Sequence, residues 1–513
     1  MKNKLIWLLG LTVVFASCDV NNDLDSIPEV EIPTVDLTAG SADFSSYVAV
    51  GASFTAGYTD GALFKASQEN SFPNIMSKKF AMAGGGSFNQ PLMNDNVGGL
   101  LLGGNVAASP RLYFNGSGPA VLPGTPTTEI TSVLTGPFHN MGVPGAKSFH
   151  IVAPGYGNLA GVALGLSNPY FARMASSATT TVLADAMAAS PTFFTVSELG
   201  GNDVLGYAVS GGVGVDQKNN LDPSTYGSND ITDPNVFASA FSGIVNMLTS
   251  NGAKGVVATV PNITSLAHFT TVPYNPVPLD AATATAVNAG YAPYNTGIQG
   301  AFAALVGMNV ITQAQADAEI AKRTIQFSAG QNAVVIVDEN LTDLEALNQA
   351  FAGLKQYRQA TATDLIVLPA ATFIGTTVGG NAQLINGVSV PLADKWVLTP
   401  QEQLNIKTAV DAYNVTIKAV AAQKGLAIVD FEAILVEAST SGIKFDNYTM
   451  TTKLVTGGLI SLDGIHLTAR GYALMANKFL AAIDATYGSN FLKATNGLAN
   501  AGAYPTNYSP TLQ

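Results

Sequence analysis

The chain has 513 residues, 47% of them hydrophobic and only 11% charged, with a formal net charge of −12. That acidic balance argues against nucleic acid and anionic membrane surfaces as partners. The length exceeds the roughly 250–300 residues that one hydrophobic core usually serves, so a second domain or one fold with large insertions is expected.

Lys2 and Lys4 precede an apolar run from Leu5 to Ala16. At about 12 residues this run falls short of the roughly 20 that span a bilayer, and it fits the h-region of a signal peptide. It closes on Phe15-Ala16-Ser17-Cys18, which resembles a lipobox with Phe15 where Leu is usual. The resemblance implies that residues 1–17 are a lipoprotein signal and that Cys18 is lipidated. Cys18 is the only cysteine, so no disulfide or Cys-pair metal motif competes for it. Residues 18–42 scatter Asp19, Asp23, Asp25, Glu29, Glu31 and Asp36 among Asn, Ser and Pro without periodicity, the composition of a disordered acidic tether. This stretch resembles the surface-export signals of Bacteroidetes lipoproteins. It implies an outer-membrane lipoprotein of the cell envelope, surface-exposed and held to the membrane through Cys18. No later apolar run approaches the roughly 18 residues of a second membrane helix.

Tyr47-Val48-Ala49-Val50 reads as a strand running into Gly51, and Phe193-Phe194-Thr195-Val196 as another running into Gly200-Gly201. Asn235 to Ser250 places Val236, Phe237, Ala240, Phe241, Ile244, Val245 and Leu248 on one helical stripe, with Gly252 as the stop. The strand Val256–Val260 follows. Thr399-Pro400-Gln401-Glu402 has the form of a capping box with Pro at the first helical position. That helix should run to Lys424, stop at Gly425 and feed a strand at Leu426–Val429. A last helix carries Tyr472, Met475, Ala476, Phe479, Leu480 and Ile483. Alternation of this kind implies a parallel sheet with helices on both faces, and a ligand site beyond the carboxyl ends of its strands.

Four elements that bear chemistry fall at such ends. Gly51-Ala52-Ser53-Phe54-Thr55-Ala56-Gly57 holds a serine on a turn between strand and helix, among backbone N–H groups suited to an oxyanion. Asn140-Met141-Gly142-Val143-Pro144-Gly145 is a Gly/Pro loop, and Gly200-Gly201-Asn202-Asp203 is a turn directly after a strand. Asp463-Gly464-Ile465-His466 opens the last helix, with Asp placed to fold back on the imidazole and leave its other nitrogen free for a proton.

In this order the four elements resemble the sequence blocks of GDSL/SGNH hydrolases. The resemblance implies a flavodoxin-like three-layer α/β/α fold with a mostly parallel five-stranded sheet, and hydrolysis of carboxylic esters, lipase- or esterase-like, without a cofactor. Carried over residue by residue, Ser53 is the nucleophile and His466 and Asp463 complete the triad. The Ser53 N–H, the Gly145 N–H and the Asn202 side chain form the oxyanion hole. The family's block usually reads Gly-Asp-Ser, and here Ala52 replaces the Asp, which lies outside the triad and the oxyanion donors. Two other functions remain open at this point: a glycan O-acetyl esterase, and a non-catalytic binding lipoprotein that keeps the fold.

His139, His150 and His268 have structural roles by default, and no metal site is indicated. Asp203 is expected to support the Asn202 turn. The hydrolase domain should span 43–487, with cap insertions at about 59–135 and 266–394 over the strand ends. The second insertion has its own helix near Ala314–Thr324 and a strand at Ala333–Val337. Residues 488–513 read as a loop-like tail.

Overall fold

The computed structural model describes residues 34–513, so the signal, Cys18 and most of the tether lie outside the described residues. Five strands form the central sheet: β1 (Tyr47–Gly51), β2 (Asn140–Gly142), β3 (Phe193–Ser197), β4 (Lys254–Ala258) and β5 (Ala427–Val429). They pair in the order β5-β4-β3-β1-β2, and every pairing is parallel. The order reverses beside β1, which makes the carboxyl ends of β1 and β3 the switch point where ligands bind in such sheets. Tyr47 to Gly51 and Phe193 to Ser197 are buried along their whole length, because helices cover both faces and leave no polar side to alternate.

The helices used below are α1 (Ser53–Ala56), α2 (Phe72–Ala81), α3 (Val182–Ala188), α4 (Asn202–Val209), α5 (Pro234–Leu248), α6 (Ala281–Gly307), α7 (Gln313–Arg323), α8 (Pro400–Lys424), α9 (Phe431–Thr440) and α10 (Ala469–Tyr487). α2 packs beside α10, and α5 packs beside α8, so the sheet lies in a three-layer α/β arrangement. The expected helices are present: α5 buries the whole predicted stripe, and α8 starts on the Thr399–Glu402 capping box and ends on Gly425. No helix among the described residues is long and apolar enough to cross a membrane.

Three expectations change, and the loop-like tail gains a packing role. Asn140–Gly142, read as part of a loop, is the edge strand β2, three residues whose poor strand propensity is overridden by pairing with Ala49–Gly51. The 59–135 stretch contains α2, a layer helix whose Phe72 stacks on Phe479 of α10, so the excursion proper lies beyond it and carries two small hairpins. The end of the presumed tether is pinned: Thr38 N–H donates to Asn490 Oδ1 (2.8 Å) and Ser41 N–H to Tyr487 O (2.8 Å). The tail is packed, with Phe491 and Ala501 fully buried and Arg111 Nη2 donating to Ser509 O (2.7 Å) and Leu512 O (3.0 Å).

The 266–394 region builds a cap. α6 and α7 pack on one another around Ile298, Phe302, Leu305 and Ala316, and Arg358 is buried between Asp338 and Asp364. The expected cap helix is α7, and the expected strand is the shorter Val335–Val337.

Candidate active site

The nucleophile turn is shaped by close approach. Gly51 ends β1 where a Cβ would lie 2.2 Å from Thr55 Oγ1 and 2.6 Å from Ser197 O, so no larger residue fits. The chain turns there into α1, which puts Ser53 at its first position. On the far side, Ser461 to His466 forms a tight turn before α10, closed by Ser461 N–H donating to His466 O (2.7 Å). Asp463 Oδ1 accepts the N–H groups of Ile465 and His466, each at 2.9 Å, the fold-back that the spacing anticipates.

These two turns meet. His466 Nε2 is 2.9 Å from Ser53 Oγ, and His466 Nδ1 is 2.8 Å from Asp463 Oδ2. Asp463 Oδ2 also accepts the Gly61 N–H at 2.9 Å. The imidazole lies between the rings of Phe54 and Tyr58, with centroids 5.6 and 4.7 Å away. Burial alone would raise the Asp463 carboxyl. The adjacent His466 ring and the Ile465 and His466 N–H groups outweigh it and hold this acid well below the usual carboxylate range. A carboxylate that stays ionised against Nδ1 leaves Nε2 as the acceptor for a serine proton.

Asn202 stands at the first position of α4, and its Nδ2 donates to Ala146 O (2.9 Å), joining α4 to the loop after β2 that holds Gly145. Its second N–H remains available. Among the described residues, neither the Ser53 N–H nor the Gly145 N–H has an acceptor. Ser53, Asn202 and His466 line one pocket, whereas Gly145 lines a second cleft. Asp203 is buried behind them and accepts from Ser148 N–H (2.9 Å), Ser148 Oγ (2.7 Å) and Gly200 N–H (3.1 Å), the expected support of the Asn202 turn.

The pocket is a small cavity of about 100 Å³, walled mainly by apolar side chains such as Leu205, Ile263, Phe431, Leu435, Leu459 and Met475. On the Gly145 side lies a broader cleft with Lys147, Phe149, Tyr156 and Tyr226 in its walls. His150 belongs to that cleft, stacked on Tyr156 with centroids 4.3 Å apart, and His139 Nδ1 accepts the Asn89 N–H (3.1 Å). His268 is buried in the cap, and its backbone N–H donates to Gly464 O (2.9 Å), so the cap touches the Asp463 turn.

One participant escaped the sequence reading. Glu198 follows β3, and its Oε1 accepts the N–H groups of Ala52 (2.6 Å) and Thr55 (3.1 Å), while Oε2 accepts Thr55 Oγ1 (3.1 Å). Ala52 is the N-cap of α1 and has no side chain to cap with, so a carboxylate from the neighbouring strand takes that part. The β1–β3 register explains the meeting, since Gly51 is opposite Ser197 and the next residues face each other. An acid closing an otherwise uncharged strand was the available signal, but only the register gives it a partner. Glu198 therefore braces the turn where Ala52 has no side chain to do so.

Removing that brace has a definite expected outcome. Glu198→Ala leaves buried N–H groups without acceptors, at about 1–3 kcal/mol each, and should lower the melting temperature markedly. Glu198→Gln keeps an acceptor oxygen and should be mild. Ala52→Asp should be harmful alone, because it sets a second carboxylate beside the first, yet should restore stability to Glu198→Ala. If the double variant is as unstable as the sum of the singles, the brace assignment fails. Burial pushes the Glu198 carboxyl up from 4.5 to about 7, against the hydrogen bonds from Thr55 and Ala52. The native chain then keeps a proton that the unfolded chain releases, and this group's contribution to stability is lost as pH rises from 4.5 to about 7. Melting curves of Glu198→Gln across that window should show a shallower decline.

Compared with known proteins, the chain matches no family model, no curated protein and no solved structure.

Proposed function

We propose that this chain is a serine hydrolase of carboxylic esters, an SGNH-type enzyme on a flavodoxin-like sheet. The observation that carries the reading is the relay Ser53–His466–Asp463, with both links at hydrogen-bond distance across 413 positions of sequence. In the proposed reaction Ser53 Oγ attacks the ester carbonyl as His466 Nε2 takes its proton, and Asp463 stabilises the imidazolium. The Ser53 and Gly145 N–H groups and Asn202 Nδ2 receive the oxyanion, each such donor being worth about 2.7–4 kcal/mol. His466 then returns the proton to the leaving alkoxide. Water, deprotonated by the same nitrogen, releases the acid from the acyl-enzyme. Attachment to the cell envelope through lipid on Cys18 is part of the proposal, and mass spectrometry of the mature amino terminus tests it. An unmodified terminus downstream of Cys18 would exclude the anchor.

The apolar pocket beside Ser53 favours an aliphatic acyl group. A buried methylene is worth about 0.8 kcal/mol, so a few added carbons should raise kcat/KM on aryl esters by roughly tenfold or more over acetate. The series from acetate to palmitate measures this. The wider cleft with Tyr226, Phe149 and Lys147 supports the second reading, a glycan O-acetyl esterase whose sugar would lie there. A preference for acetate transfers the proposal to that reading. Absence of turnover on every ester defeats both and leaves a binding lipoprotein.

A further inference from the structure

Away from the triad, three carboxylates converge where the cap meets the sheet layers. Glu339 follows the cap strand Val335–Val337, Asp394 opens a turn at the end of the cap, and Glu402 stands in the first turn of α8. One oxygen from each lies within 4.8 Å of the other two. Two oxygens that share one cation at about 2.4 Å can be no further apart than about 4.8 Å, so the spacing fits common coordination of a calcium-sized ion.

A group of acids alone proves little, and Glu402 supplies the independent observation. It is 1% exposed. Its Oε2 is used locally, accepting Thr399 N–H (2.6 Å) and Thr399 Oγ1 (2.9 Å) in the capping box. Its Oε1 is buried and has no hydrogen-bond partner, and the same is true of Asp394 Oδ1. The backbone makes room for this arrangement. Gly212, just past α4, has φ +86°, and a Cβ there would stand 1.8 Å from Glu402 Oε1. No lysine or arginine among the described residues pairs with any of the three acids. The nearest cationic neighbour in sequence, Lys395, lies over the Trp396 ring instead. Leaving a buried carboxylate oxygen uncompensated costs several kcal/mol, a cost that a shared proton or a bound cation would remove.

We propose that Glu339, Asp394 and Glu402 form a binding site for a hard divalent cation, calcium, that clamps the cap to the amino end of α8. All-oxygen ligation without His or Cys selects calcium over zinc or copper, and magnesium's demand for tight octahedral geometry suits an irregular interface less well. Spacing rules for His and Cys could not disclose the site, because its ligands are carboxylates spread from 339 to 402 and brought together only by the fold. The ion holds α8 against the Gly211–Gly212 turn, and that turn ends the helix that begins with Asn202. The site is independent of ester chemistry, so Ser53→Ala should bind calcium as the wild type does.

Calorimetric titration of the full chain, stripped with EDTA and then given CaCl₂ or MgCl₂, tests the proposal. About one calcium per chain should bind, more tightly than magnesium, and the melting temperature should rise with calcium by mass action. Asp394→Asn and Glu402→Gln should each weaken binding by about tenfold or more, since affinity in such sites follows the ligand charge. The wild-type titration and the half-buried Asp394 keep the test decisive should Glu402→Gln fail to fold. The proposal is overturned if wild type shows neither heat nor a melting shift up to about 5 mM calcium, several times the roughly 1 mM of the weakest such sites. It is equally overturned if both variants bind as well as wild type. A third outcome, higher stability in both variants with no calcium binding, would mean that the acids share protons and not a metal.

Discussion

Ser53→Ala should lower ester turnover by roughly 10³-fold or more, about 4 kcal/mol of transition-state stabilisation, while the protein melts at nearly its original temperature. The side chain makes one recorded hydrogen bond, to His466 Nε2, and lies at the mouth of a pocket, so its loss opens no internal cavity. The brace from Glu198 reaches backbone N–H groups and Thr55, none of which the substitution alters. A fluorophosphonate should label the wild type at Ser53 and leave the variant unlabelled. Turnover retained by the variant, or a label on another serine, would remove Ser53 from the mechanism and with it the proposed hydrolase.

Asp463→Asn is expected to be at least as costly, for a reason visible in its contacts. Oδ2 accepts from both His466 Nδ1 and the Gly61 N–H, and Oδ1 accepts two further backbone N–H groups. An amide must turn its NH₂ toward one of these sets, where it meets donors. If the NH₂ faces Nδ1, the imidazole proton is driven to Nε2, and the ring can no longer accept from Ser53. The same exchange in a well-studied Ser-His-Asp triad costs about 10⁴-fold. His466→Ala should be comparably damaging. Because the pair acts as a unit, the double variant should be little worse than the worse single one. Rates that multiply across the two singles would show that Asp463 and His466 act separately.

The parts of this architecture that could be read from sequence share a physical character. β1, β3 and β4 are buried on both faces and therefore appear as short apolar runs, and α5 shows its stripe because only one side is covered. Asp463 and His466 are legible because their interaction is local, closed within one turn. β2 is hidden because Asn140 and Gly142 carry no strand preference and obtain their conformation from β1. α6 is hidden for another reason: its 27 residues are rich in Ala, Thr and Gly, with no continuous stripe and a proline, Pro293, in its interior. Glu198 and Glu402 mark the real limit. Both looked ordinary, one at a strand end and one in a capping box, and both acquire their meaning from residues far away in the chain. The tail is loop as expected, but its packing was hidden because burial of Phe491 and Ala501 requires no regular element and so leaves no periodic trace.

The pairing of Ser53 with a base 413 positions later also dictates an order of events during synthesis. The chain emerges amino end first, and the strand that presents the serine is made long before the helix that follows His466. Closure of such a long loop must wait for nearly the whole polypeptide. The last segment then seals the shell, as Ser509 and Leu512 dock on Arg111. A nascent chain therefore presents Ser53 before its hydrogen-bond partner His466 has been made.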